Sequence, residues 1–317
     1  MTRYGFLGPV GTFTQAALNA WSGAGGGSAG STDVTGDEQV PFASVDRALA
    51  GVRDGDVDAA MVPIENSVEG GVSATLDALN TGDPLAVVGE VLVPISFVLA
   101  ARPGVRSHDV RAVGTHPHGW AQVRGWVGAN LPDAIHVPTL STAAAAADLA
   151  AGRVEAYQAA VCARVAADAT GLVVLADDIG DRTGAVTRFV LVARPGNLPA
   201  PTGADKTTIV VYQYDDHSGG LLELLEQFAA RGINISRLES RPTGGAMGSY
   251  CFSFDFEGHV LDARVGETLT GLRRVAADVR FLGSYPRADG QDAHVLATAT
   301  DDAFQDAAAW LARVRST

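Results

Sequence analysis

The sequence predicts an α/β protein in two parts: a larger part of two lobes about a cleft, then a smaller βαββαβ part with one helix-free sheet face. Three observations carry this reading. Over residues 1–193, short β-rich runs alternate with helical patterns, as in parallel sheets covered on both faces. The segment Ala193-Arg194-Pro195-Gly196-Asn197-Leu198-Pro199-Ala200-Pro201-Thr202-Gly203 then sets three prolines and two glycines in eleven residues, which neither a helix nor a central strand accommodates. Beyond it, the order β-α-β-β-α-β is the ferredoxin-like arrangement. The expected boundaries are 1–193, a linker at 194–204, 205–287, and a C-terminal tail at 288–317.

In chain order, the first part offers strands at Arg3–Leu7, Gln39–Phe42, Ala59–Val62, Ala86–Val88, Val91–Ala101, Ala112–Thr115, Ile135–Pro138 and Val186–Ala193. Helical spacing predicts helices at Phe13–Trp21, Ser44–Arg53, His118–Trp126, Thr142–Ala151 and Ala163–Thr170. Gly23–Ser31 is low-complexity; with no lysine after it and no strand leading into it, it reads as a surface loop rather than a phosphate cradle. In the second part, strands fall at Thr207–Tyr214, Asn234–Ser240, Tyr250–Phe256 and Val279–Tyr285, with amphipathic helices at Leu221–Arg231 and Val260–Ala276. Open edges on such a sheet predict pairing with a second copy. In the tail, Phe304, Ala307, Ala308, Leu311 and Val314 recur at helical spacing and predict a packing helix without chemistry.

Composition narrows the function. With 317 residues, 47% of them hydrophobic, the chain has material for two cores. A net charge of −13 argues against nucleic acid and against an anionic membrane surface. A single lysine, Lys206, stands in Asp-Lys-Thr-Thr without a glycine loop before it, so Walker-type phosphate binding and pyridoxal chemistry are disfavoured. Cys162 and Cys251 form no CxxC pair and no disulfide framework, which fits a reducing compartment. The longest apolar run, Val91–Ala101, is too short to span a bilayer, and the first residues do not read as a signal peptide, so a cytoplasmic protein is expected.

Four segments place hydroxyl or amide side chains just after a strand: Gly8-Pro9-Val10-Gly11-Thr12-Phe13-Thr14, Pro63-Ile64-Glu65-Asn66-Ser67-Val68-Glu69-Gly70-Gly71, Gly114-Thr115-His116-Pro117-His118 and Ser141-Thr142-Ala143-Ala144. Each by itself reads first as an ordinary helix N-cap. Together, at strand ends in an α/β cleft, they offer unpaired N–H groups and hydroxyls to a small substrate with more than one carboxylate. Thr187-Arg188-Phe189 opens the last strand before the linker. His116 and His118 lack carboxylates at ligand spacing, and neither a GxSxG elbow nor a strand–GxGxxG–helix unit occurs. No metal, dinucleotide or other cofactor is expected.

Gly8-Pro9-Val10-Gly11-Thr12-Phe13-Thr14, Pro63-Ile64-Glu65-Asn66-Ser67, Thr187-Arg188-Phe189 and Glu239-Ser240-Arg241-Pro242, in that order, resemble the monofunctional prephenate dehydratases. The resemblance runs over residues 3–286. It implies decarboxylating dehydration of prephenate to phenylpyruvate in phenylalanine synthesis, in a two-lobed catalytic domain like a type II periplasmic binding protein. It implies that Thr187 is the essential hydroxyl and that Thr12, Thr14, Asn66, Ser67, Ser141 and Thr142 line the cleft. The second part then resembles an ACT regulatory domain, which binds L-phenylalanine between paired copies as a feedback inhibitor. Gly219, Gly220, Leu221, Asn234, Glu239, Ser240 and Arg241 match that pocket, and a homodimer through these domains, extending to a homotetramer, is implied. The chain departs from the family pattern at Ala185, where asparagine is frequent, at His118-Gly119-Trp120 after His116-Pro117, and at Ala163, where serine is common.

The reaction needs donors for two carboxylates and for the ring hydroxyl as it leaves; aromatisation drives it. Thr187 is expected to hydrogen-bond that hydroxyl. Glu65 is the alternative proton donor if burial raises its pKa. Arg188 either pairs with a substrate carboxylate or points along the strand and supports the fold. Competing readings are an arogenate dehydratase and a non-catalytic amino-acid-sensing protein.

Overall fold

The computed structural model describes residues 2–23, 37–68, 70–243 and 250–316. The chain divides into two compact units, Met1–Val72 with Val91–Phe189, and Ser73–Glu90 with Val190–Thr317.

The first sheet is built from β1 (Arg3–Leu7), β2 (Glu38–Phe42), β3 (Ala59–Asn66), β4 (Gly70–Gly71), β5 (Ala86–Pro94) and β11 (Val186–Ala193), in the order β2-β1-β3-β11-β5, with β4 on β3. β1 runs parallel to both β2 and β3, the pairing that crossover helices impose. Those helices are α1 (Phe13–Gly23) and α2 (Val45–Asp54), packed on β3 and β1. Ser44 Oγ accepts from Arg47 N to start α2, and Gly55, left-handed at φ 81°, ends it. Helix α1 reaches Gly23, so 24–31, most of the predicted low-complexity loop, lie outside the described residues.

The second sheet holds β6 (Val98–Ala101), β7 (Ala112–Thr115), β8 (Ile135–Pro138), β9 (Ala159–Cys162) and β10 (Val173–Ala176), in the order β10-β6-β9-β7-β8. Its helices are α4 (Pro117–Asn130), α5 (Thr142–Ala150) and α6 (Arg164–Thr170). Alternation sends Val98, Ala100 and Ala112 into one core with the alanines of α5, and Leu99, Ala101 and Val113 into a second core with Val123 and Val127 of α4. The sheet is therefore covered on both faces. The run expected as one strand at Val91–Ala101 divides between β5 and β6, since residues 95–97 leave the ladder. Strands β9 and β10 escape the sequence reading: Ala159-Ala160-Val161-Cys162 is half alanine, and each strand has only four residues.

In the C-terminal region β12 (Asp205–Tyr212), α7 (Gly220–Ala229), β13 (Ile235–Pro242), β14 (Tyr250–Glu257), α8 (Ala263–Val275) and β15 (Asp278–Pro286) follow in turn. All pairings are antiparallel, in the order β13-β14-β12-β15, the ferredoxin-like order. Ile209, Val211, Phe252, Phe254 and Phe256 pack under Leu224, Phe228, Val265 and Leu272 of the two helices.

The alternate residues carry a buried polar network. Arg237 donates through Nε and Nη2 to Asp255 at 2.8 and 2.9 Å, and Thr208 Oγ1 donates to Asp255 Oδ1. The same unit includes α3 (Ser73–Asn80), an eight-residue helix the periodicity did not reveal. Arg241 donates twice to Asp77 at 3.0 Å, Tyr212 Oη donates to Asn80 O, and Arg280 Nη1 to Leu79 O. Lys206 is buried, its Nζ 2.9 and 3.0 Å from the two carboxylate oxygens of Glu90 on β5, while Ala288 N also donates to Glu90. That position suits a structural ion pair, not a phosphate-binding lysine.

The tail forms a short 3-10 turn at Ala297–Ala299 and helix α9 (Asp301–Arg315). The helix is where the spacing put it, but none of its residues is buried. No helix among the described residues is long and apolar enough to cross a membrane.

Candidate active site

A cavity of about 310 Å³ opens in the first unit, lined by strands of the first sheet and by loops and helix starts that flank strands of the second. Thr12 and Thr14 reach it from the start of α1, Asn66 from the end of β3, Ser141 and Thr142 from the start of α5, and Thr187 from β11. These six predicted residues are thus brought together, though they are spread over 176 positions between Thr12 and Thr187. Apolar walls come from Leu7, Pro63, Ile95, Phe97, Phe13 and Phe189, with Phe13 and Phe97 edge to face at 5.6 Å between ring centroids.

Local capping chemistry explains the polar rim. Thr12 Oγ1 donates to Leu7 O and receives a long 3.4 Å bond from Gln15 N at the head of α1. Ser141 Oγ accepts from Ala144 N at 2.9 Å, and His116 Nδ1 accepts from His118 N at 3.2 Å, capping α5 and α4. Three helix N-termini therefore converge on one cavity, each with a partial positive charge suited to carboxylates. Gly11 sits at φ 87° with Ala166 3.1 Å from where a Cβ would stand, so only glycine makes this turn comfortably. A Cβ at Gly119 would meet Thr115 Oγ1 and Thr142 Cγ2 at 2.9 Å, which fixes the close approach of α4 and α5.

Asn66 sets the orientation of Thr187. Asn66 Oδ1 accepts from Val68 N at 2.8 Å, which turns its Nδ2 toward Thr187 Oγ1 at 2.7 Å. Since Thr187 accepts this bond, its own O–H remains to donate. Ser67 does not line the cavity; its N donates to Val186 O and its Oγ accepts from Val186 N, clipping the end of β3 to the start of β11 one residue before Thr187.

Strand alternation puts Thr187 and Phe189 on the cavity and turns Arg188 away. Arg188 is buried and donates through Nη1 to Glu65 Oε2 at 3.0 Å. Neither Glu65 nor Arg188 lines the cavity. Of the two roles open to Arg188, this geometry matches support of the fold.

Gly8, His116, His118, Gly119, Gln122 and Leu140 complete the lining, and none of them was among the site residues expected from the sequence. The signal was present: 118 and 122 are one helical turn apart on the helix already predicted there. Trp120, also unassigned, stacks on His136 at 4.6 Å with an interplanar angle of 3°, outside the cavity lining. Among the described residues no group of three His, Cys, Asp or Glu side chains is placed to hold a metal ion.

In the second unit, Gly219 caps α7 at φ 90°, followed by buried Gly220 and exposed Leu221. Glu239, Ser240 and Arg241 lie on β13, an edge strand. Asn234 Nδ2 donates to Glu257 Oε1 at 2.9 Å, and Arg241 is engaged with Asp77, which holds its guanidinium pKa above the usual value.

Residues 4–197 match the family model described as prephenate dehydratase. A prephenate dehydratase of Amycolatopsis methanolica is 46% identical over 99% of this chain and 98% of its own length. The prephenate dehydratase of Mycolicibacterium vanbaalenii is 45% identical over 99% of both chains. A crystal structure of the Arthrobacter aurescens prephenate dehydratase in complex with L-Phe is similar with TM-score 0.91 and 53% identity, covering 99% of this chain and 100% of that one.

Proposed function

Since the chain belongs to the prephenate dehydratase family, we propose that its cavity takes the prephenate dianion and converts it, with one proton, to phenylpyruvate, carbon dioxide and water. The observation that carries this is the Asn66–Thr187 hydrogen bond inside a cavity ringed by three helix N-termini. The N-termini of α1, α4 and α5, with Thr12, Thr14, Ser141 and Thr142, supply donors for the two carboxylates. The apolar walls accept the ring.

As the carbon–carbon bond to the leaving carboxylate breaks, its electron pair moves into the ring and the ring hydroxyl departs. Thr187 donates a hydrogen bond to that oxygen, where negative charge develops. A threonine hydroxyl is too weak an acid to supply the proton alone, so the departing group draws it from solvent through this bond. Glu65 is engaged with Arg188 and serves the fold in this reading. A basic limb in the pH profile of kcat/KM that disappears in Glu65→Gln would instead make Glu65 the acid.

Residues 1–193 form the catalytic domain in this reading, 194–204 the linker, 205–287 an ACT domain, and 288–317 an appended tail. L-phenylalanine binds between paired ACT domains near Gly219–Leu221, Asn234 and Glu239–Arg241 and inhibits; the β13 edge, with Leu238 exposed, supports side-by-side pairing of two copies. The protein works in the cytoplasm. Incubation with prephenate and, separately, arogenate tests the reading: phenylpyruvate forms from prephenate in wild type and falls sharply in Thr187→Ala and Thr187→Val. Equal turnover in the variants, or a preference for arogenate, overturns it.

A further inference from the structure

Helix α9 has fifteen residues and none of them buried, although Trp310 is 59% exposed, Leu311 39% and Val314 49%. Its N-terminal end is tied down. Asp301 Oδ1 accepts from Ala263 N at 2.8 Å, and Thr300 Oγ1 caps Ala303 N. An isolated helix of this length is marginal in water, so packing of its apolar face must supply stability. At 100° per residue Phe304, Ala307, Trp310, Leu311 and Val314 form one stripe along its length.

We propose that α9 packs antiparallel against α9 of a second copy of this chain, about a two-fold axis. The charges choose this occupant and this direction. Asp301, Asp302 and Asp306 occupy the N-terminal half, and Arg313 and Arg315 the last turn. Centring the pair near residue 309 sets Phe304 against the partner's Val314 and Ala307 against the partner's Leu311. In antiparallel helices residues on the same flank of the stripe face one another. Asp306 and Arg313 share one flank and Asp301 and Arg315 the other, so Asp306 meets the partner's Arg313, and Asp301 the partner's Arg315. A parallel pair would bring like charges together at both ends. Antiparallel macrodipoles also favour the arrangement. The contact is isologous, so every pair occurs twice. It uses a different element from the β13 edge and requires nothing of the reading of the reaction. With β13 pairing it closes a tetramer; without it, a dimer.

Sedimentation equilibrium or light scattering of the full chain tests this. Leu311→Asp is expected to halve the molar mass at micromolar concentration. Asp306→Arg and Arg313→Asp, each by itself, weaken association about tenfold, because the symmetric contact then carries two like-charge pairs. The double variant Asp306→Arg/Arg313→Asp restores it to within about threefold. This rescue separates pairing from a helix that has merely unfolded in Leu311→Asp. An unchanged mass in Leu311→Asp overturns the proposal, as does a double variant no better than the singles.

Discussion

Asn66 Nδ2 lies 2.7 Å from Thr187 Oγ1, joining residues 121 positions apart. The amide can only donate here, because its oxygen is held by Val68 N. The threonine is therefore presented to the cavity as a donor. Thr187→Val keeps the shape and loses the O–H, and kcat is expected to fall by about 10²- to 10³-fold, the usual cost of one preorganised donor. Asn66→Ala lowers kcat less with KM nearly unchanged. The double variant is no slower than Thr187→Val, since the amide acts through the hydroxyl. Steady-state kinetics on the three proteins check this.

Arg188 and Glu65 form a pair buried at the arginine and part-exposed at the glutamate. Removing the charge in Arg188→Met is expected to cost about 1–3 kcal/mol, below the range for a fully buried pair because water reaches Glu65. Urea unfolding measures it. The pH profile of kcat/KM in Glu65→Gln stays parallel to wild type.

Lys206 and Glu90 are both buried, and their pairing joins β12 to β5. Lys206→Met leaves the Glu90 carboxylate without its counter-ion and should cost about 3–5 kcal/mol. Adding Glu90→Gln to that variant should recover a good part of the loss, because the stranded charge is gone. Denaturation midpoints of the single and double variants decide it.

Burial pushes the Cys162 thiol up to about 12 and, with a smaller effect of Asp148, the Tyr157 phenol up to about 12. Both groups are neutral in the native state where the unfolded chain has already ionised, near 9 for the thiol and 10 for the phenol. The unfolded state then binds fewer protons, so stability is fully present below pH 9 and falls as pH rises toward 12. Urea midpoints measured from pH 8 to 11 should decline, and Cys162→Ala should flatten the first part of that decline. The same burial predicts that Cys162 resists alkylation at pH 8 until denaturant is added.

Short-range physics made much of this protein legible in its residues. Alternation marked β1, β7, β8, β11 and the βαββαβ order, and the hydroxyls following strand ends picked out Thr12, Thr14, Ser141 and Thr142, because capping acts within a few residues, whereas Thr187, inside a strand, was marked by the resemblance of Thr187-Arg188-Phe189 to a family motif. The alanine-rich β9 escaped, since alanine carries little strand signal, and so did the brief α3. The tertiary structure alone decided which distant groups meet: that Asn66 turns Thr187, that Arg188 faces Glu65 and not the cavity, and that Lys206 is neutralised by Glu90. Pairings of that kind depend on strand order and on which face a side chain takes, and both are settled only when segments far apart in the chain close around a shared core.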